Sequence, residues 1–348
     1  MKKLTQDNIA TLANLNRRDF LKISGNAAGI VGGALLTNLS MAAPLNSINI
    51  DSGKVANVWV NNQGANNWNK YYDKFLRLLQ TPDSTLDTQW IKPDQQYLLK
   101  ITMSDKLGYP YSTDPKLVYS MVRYLVNEKS IPVNNIVISD QLLSKKSTGL
   151  SQQLAQLRSS GIYSGIRRAL PLKKALSLNA KNKMPLKWLS PDSDFDHIIE
   201  LTSLTSSHNE QRINEVNNLL YHNTIPLHIR PKMVISSATK VGNKRKIINL
   251  QPGMILASNS PLSHELLANA YLSFCATQTV MSTDKGYTVV DNNRRLTHIT
   301  QLHKAMKQQG HLSEIDWYID QQDAPKGIVD KISSEYFPAV KVKQYSLA

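Results

Sequence analysis

Two short apolar runs, Tyr97 to Met103 and Ile136 to Asp140, flank a stretch built to begin as a helix, and that arrangement restricts the fold more than any other feature of the chain. Ser112-Thr113-Asp114-Pro115 supplies capping side chains followed by a proline, whose fixed φ suits a first helical turn. Leu117, Val118, Met121, Val122 and Leu125 then form a buried stripe. The flanking runs are too short for helices, so both read as buried strands. Strand, helix, strand over this distance predicts a right-handed parallel crossover. Asp140 then falls at the carboxyl end of the second strand, where open α/β sheets bind ligands.

The same alternation runs through most of the chain. Val55 to Val60 reads as a strand, and Trp68 to Gln80 as a helix with Trp68, Tyr71, Tyr72, Phe75, Leu76 and Leu79 on its apolar face. Residues 141 to 190 are less regular and read as an excursion over one face of the sheet. Strands are expected at His197 to Leu201, Lys232 to Ser236, Met254 to Ala257 and Ile315 to Ile319. Helices are expected at about Glu210 to Tyr221, from Pro261 through Phe274, and near Leu296 to Lys307. Val241-Gly242-Asn243-Lys244 has the residues of a tight hairpin, since Gly-Asn tolerates the positive φ of a two-residue turn. The expected fold is therefore α/β, a mostly parallel sheet flanked by helices with a hairpin addition, in one domain over residues 44–348.

The first 43 residues read differently. Lys2, Lys3, Arg17, Arg18 and Lys22 outweigh Asp7 and Asp19, and an apolar segment from Ile23 to about Met41 follows. Glycines and asparagines inside that segment make it weak as a membrane anchor. Small residues at Ser40, Ala42 and Ala43 then offer a cleavage site after Ala42 or Ala43. Within this stretch, Asn16-Arg17-Arg18-Asp19-Phe20-Leu21-Lys22 resembles the twin-arginine export signal, in which Arg-Arg and one further residue precede Phe-Leu-Lys. The resemblance implies a cleavable signal peptide, the twin-arginine translocase as a partner, and a periplasmic location. A dinucleotide-binding reading of Gly25 to Gly33 fails, because no strand precedes the glycines and their spacing is wrong.

Composition then narrows the chemistry. The chain of 348 residues has 41 Lys plus Arg against 26 Asp plus Glu, so its partners are expected to be anionic. Export takes nucleic acid out of ordinary reach and favours an anionic ligand or envelope component. Lys240, Lys244, Arg245 and Lys246 form the densest basic cluster; on a hairpin this is a charged edge that discourages strand pairing, or a contact for such a partner. The single cysteine, Cys275, sits in an apolar helical context as a small hydrophobe. It excludes an intramolecular disulfide and a protein-held iron-sulfur cluster.

Three segments carry a family resemblance. The first is Tyr97-Leu98-Leu99-Lys100, then Ser112-Thr113-Asp114-Pro115-Lys116-Leu117-Val118, closing on Ile136-Val137-Ile138-Ser139-Asp140. The second is Asp196-His197-Ile198-Ile199-Glu200-Leu201 with His208, and the third is Pro252 to Pro261. Together, over about residues 95–275, they resemble the bacterial and archaeal domain-of-unknown-function family 362. There a lysine-bearing strand leads to a Thr-x-Pro helix and a strand ending in Asp, and a later strand leads to Lys-Thr-His. Here Ser206 and Ser207 precede His208, and His264 stands where the late helix usually has aspartate.

Lys100, Asp140 and His208 are accordingly the candidate ligand-binding residues, gathered at the carboxyl edge of the sheet. His208, Glu210 and Asp196, with His264, are the candidate metal ligands of an alternative, a metal-dependent and possibly redox-related enzyme. Neither a His-Glu-x-x-His pair nor a Gly-x-Ser-x-Gly elbow occurs. No reaction and no cofactor is specified by these residues. A third reading is an envelope interaction protein that uses the basic surface without chemistry.

Overall fold

The computed structural model describes residues 53–80, 86, 88–103, 108–139, 150–170, 195–204, 231–242, 247–250, 252–277, 314–336 and 341–347. All of them belong to one unit, Ile50–Ala348. The strands are β1 (Gly53–Val60), β2 (Tyr97–Ile101), β3 (Ile136–Ser139), β4 (His197–Ser203), β5 (Pro231–Ser237), β6 (Lys240–Gly242), β7 (Ile247–Asn249), β8 (Gly253–Ser258), β9 (Glu314–Ile319) and β10 (Lys341–Ser346). The helices are α1 (Asn62–Asn66), α2 (Trp68–Gln80), α3 (Pro115–Arg123), α4 (Leu150–Ser159), α5 (Ile162–Ala169), α6 (Pro261–Thr277) and α7 (Ile328–Tyr336).

Eight strands form one sheet in the order β10-β9-β1-β8-β5-β4-β2-β3, and β6 pairs with β7 in a separate ribbon. Every strand of the large sheet runs the same way except β8, which lies antiparallel to both β1 and β5. The fold is thus α/β with a mixed, mostly parallel sheet, as the alternation predicts. The reversal of β8 follows from its hairpin connection. The chain leaves β5 through Ala238 and Thr239, makes the β6-β7 ribbon, and returns with Ala238 and Met254 exchanging backbone hydrogen bonds. A chain that doubles back through a hairpin ribbon and pairs beside its own exit runs antiparallel.

Period-two alternation sorts the strand residues between two faces. On one face, Leu99, Ile101, Ile199, Leu201, Met233 and Ile235 pack under α2, α3 and α5. On the other, Val55, Trp59, Met254, Leu256, Ile315 and Trp317 pack under α6 and α7. Fully burying each such side chain contributes about 1.5–3 kcal/mol, so the two layers supply most of the driving force. Helix α3 begins as its sequence demands: the Asp114 side chain accepts from the Lys116 N–H, and Pro115 occupies the first turn.

Several expectations need correction. The strand expected to run to Met103 ends at Ile101, because Thr102 turns to exchange hydrogen bonds with Thr113. On α2, Leu78 is buried, whereas Trp68 and Leu76 are only partly so. The expected hairpin is the β6-β7 ribbon, but Gly242 sits in its ladder opposite Ile247 rather than in the turn, and this register buries Val241; Asn243 and Lys244 lie outside the described residues. The excursion at 141–190 contains α4 and α5, whose Ile162, Ile166 and Ala169 join the core. Helix α7 and strand β10 had no counterpart in the sequence reading; β10 is an edge strand with mostly exposed side chains and little apolar pattern to find. The export segment, the helices expected near Glu210 and Leu296, and Lys244, Arg245 and Lys246 lie outside the described residues.

Candidate functional site

After β2 the chain moves outward to β3, whereas after β4 it moves the other way, to β5. Connections therefore diverge at the seam between β2 and β4, the kind of switch point where open α/β sheets hold ligands beyond the strand carboxyl ends.

One face of this seam is closed by Ser112, Thr113 and Asp114, all wholly buried. Thr113 spans both strands: its backbone N–H donates to Thr102 O at 2.8 Å, and its hydroxyl donates to Leu201 O at 2.9 Å. Ser203 donates to Ser112 O at 2.9 Å. Ser237, at the end of β5, donates to Asp114 Oδ2 at 2.8 Å, and Lys116 Nζ lies 3.7 Å from Oδ1. Tyr109 continues the network, 2.9 Å from Thr239 Oγ1 and accepting from Lys240 N–H at 2.8 Å. Burial, then the Asp114 carboxylate, pushes the phenols of Tyr71 and Tyr109 upward, so both stay neutral. The Tyr71 hydroxyl is sealed beside Ser237 in a geometry too poor for a full hydrogen bond. This sealed cluster, hydrogen-bonded at every member but Tyr71, braces the seam.

The opposite face holds the part that meets solvent. Lys100 and Glu200 sit directly across from one another on β2 and β4, Nζ to Oε1 3.6 Å, with side chains 22% and 11% exposed. Two residues on along the same face of β4, the Thr202 hydroxyl is wholly buried with no hydrogen-bond partner among the described residues. Ser236 is its cross-strand neighbour on β5 and shares a 2.9 Å hydrogen bond with His264 Nε2 from α6. His264 Nδ1 lies 3.5 Å from Glu265 Oε1. The order Ser236, His264, Glu265 has the atom pattern of a nucleophile, base and acid. All three are wholly buried, however, so the chain is an internal brace between α6 and β5.

The structure brings together only part of the predicted site. Lys100 stands at the seam, and His264 lies on the same face beyond it. Asp140, His208 and Glu210 lie outside the described residues. Asp196 precedes β4 at the amino end, where it accepts from Gln96 N–H at 2.7 Å. The six steps from Asp196 to Thr202, the register partner of Ser236, put about 20 Å of strand between Asp196 and the His264 contact, so those two do not share a metal. Among the described residues no group of three or more His, Cys, Asp or Glu is placed to hold a metal ion. Cys275 is buried in the apolar layer, as expected.

Sequence reasoning missed Glu200, Thr202 and Ser236. The available signal was alternation: Glu200 and Thr202 interrupt an apolar strand on the same face. The amino edge is separate, with Trp90, Tyr97 and His197 in ring contact. His197 Nε2 bonds Gln95 Oε1 at 2.8 Å, and burial, then the charge of Lys232, lowers its pKa.

Comparison with family models, curated protein sequences and solved structures returned no match.

Proposed function

We propose that this is an exported periplasmic protein that binds a small polar or anionic ligand at the carboxyl ends of β2 and β4, centred on Lys100. The observation that carries this reading is the Lys100–Glu200 pair, partly exposed at the switch point, with the buried Thr202 hydroxyl beside it. The pair is neutral as a unit, so charge alone does not select the ligand. A molecule that offers an acceptor to Lys100 and a donor to Glu200 suits the pair, which favours small hydroxylated acids or amino acids. Likeness to domain-of-unknown-function family 362 belongs to the same proposal, supported by the order of lysine-bearing strand, Thr113-x-Pro115 helix and following strand. Export rests on Arg17, Arg18, Phe20, Leu21 and Lys22.

The test is a thermal-shift screen of small hydroxy acids, sugar acids and amino acids against the wild-type chain and Lys100→Met, Glu200→Gln and Thr202→Val variants. Compounds that raise the wild-type melting temperature should lose that effect in Lys100→Met. An undiminished shift in Lys100→Met places the ligand elsewhere.

A further inference from the structure

The helices on the α2–α3–α5 side carry a surface that the ligand site does not use. Gly165 sets its geometry: a Cβ there would stand 2.8 Å from Pro115 O and 3.2 Å from both the Trp68 and Tyr119 side chains. Helix α5 therefore lies close against the start of α3, and Arg168 comes to rest 4.3 Å from the centre of the Trp68 ring. Trp68 meets Tyr119 edge-on at 5.2 Å, and Tyr119 in turn accepts from Arg123 Nη1 at 2.8 Å. Arg123 also lies 4.0 Å from the Tyr72 ring centre and donates to Asn69 Oδ1 at 3.1 Å. Arg158, on α4, covers Tyr163 at 5.5 Å.

These contacts hold the guanidinium groups in place without neutralising them. A ring face attracts a cation but brings no negative charge, unlike a carboxylate. Among the described residues, Arg123, Arg158, Arg167 and Arg168 make no ion pair. Arg158, Arg167 and Arg168 are exposed, as is Lys70 nearby on α2. The acids here are Asp73 on α2 and Glu128 in the segment that follows α3, two carboxylates against Lys70, Arg123, Arg158, Arg167 and Arg168. Positive charge therefore dominates the surface, with half-buried Trp68 and Tyr163 set between the arginines.

We infer that this face docks onto an anionic lipid surface. Fixed cations supply the attraction to headgroup phosphates, and amphipathic rings suit the headgroup level of a bilayer. The aromatic component distinguishes this face from a purely basic patch such as the run around Lys244; rings among arginines also suit single-stranded nucleic acid, and the choice of lipid rests on the export proposed above. No described helix is long and apolar enough to cross a membrane, so this contact is peripheral.

Cosedimentation tests it with the full chain and vesicles of equimolar phosphatidylglycerol and phosphatidylethanolamine, against phosphatidylcholine vesicles. The signal segment is common to every variant, so differences report the helical face. The wild type should bind the anionic vesicles, with binding that falls as salt rises. Arg123→Gln/Arg158→Gln/Arg168→Gln should bind about a hundred-fold more weakly, at about five-fold per charge. The corresponding triple Lys variant keeps the charge and should retain most of the binding; a melting curve of each variant checks folding. Equal vesicle binding by the wild type and a folded Gln variant overturns the inference. So does retention on heparin or single-stranded DNA with no retention on vesicles, which assigns the face to a soluble polyanion.

Discussion

Ser237 donates its hydroxyl to Asp114 Oδ2 at 2.8 Å, tying the end of β5 to the first turn of α3 across 123 positions of sequence. The same carboxylate accepts the Lys116 N–H at 3.0 Å, so one buried side chain both caps a helix and fastens it to the sheet. Losing it removes a cap, worth about 1 kcal/mol, and takes the charged acceptor from the buried Ser237 hydroxyl, which keeps the longer 3.3 Å contact with the Tyr109 hydroxyl, at about 1–3 kcal/mol. Asp114→Ala should therefore destabilise the protein by roughly 2–4 kcal/mol, read as a lower denaturant midpoint at unchanged slope. Asp114→Asn keeps an acceptor oxygen and should lose less; equal losses would remove the capping argument.

The Asp320 carboxylate, wholly buried at the end of β9, receives Arg77 at 3.1 Å and Lys74 at 3.5 Å from α2. Its partners are 30% and 21% exposed, so solvent screens each pair and lowers its value below that of a buried one. Removing Asp320 takes its buried carboxylate from Arg77 and leaves Lys74 with the exposed Asp323, 3.2 Å away. Asp320→Ala should cost about 1–3 kcal/mol, and Arg77→Met added to it should cost less than the two single changes summed. A double-mutant cycle by chemical denaturation measures that coupling; strict additivity would refute it.

His197 makes stability depend on pH. Its folded pKa lies below the ordinary histidine value, so the unfolded chain binds a proton more readily. Stability contributed this way is complete above about pH 6.5 and is lost as pH falls through that value toward the lower folded pKa. His197→Gln should flatten the acid side of a melting-temperature profile between about pH 7 and about pH 5. A profile unchanged by the substitution would show that other groups govern the slope.

Export, as proposed, depends on the arginine pair. Replacing Arg17-Arg18 with Lys-Lys should leave the uncleaved chain in the cytoplasm, detected by fractionation and by its mass. Continued appearance of a shortened protein in the periplasm would overturn the localisation.

Much of the fold was legible because it rests on local rules. The helix start at Ser112-Thr113-Asp114-Pro115, the apolar runs of β1, β2, β3, β4, β5, β8 and β9, and the alternation that implies an α/β sheet all depend on side chains within a few positions of one another. The weakly patterned pieces were not legible. Strand β10 exposes most of its side chains, and α7 has no strong apolar stripe to announce it.

The site divides in the same way. Lys100 was legible as a lone cation closing an apolar strand, and Asp114 as a cap. Neither reading contained Glu200 opposite Lys100 or Ser237 against Asp114, because both pairings depend on which strands are neighbours. The sequence by itself determined the elements, their order and the apolar faces they must cover. The tertiary structure alone decided that β4 enters between β2 and β5 and that β8 reverses between β5 and β1. Strand neighbours are selected by how two helical layers bury a whole sheet at once, and that sum extends over contacts hundreds of residues apart.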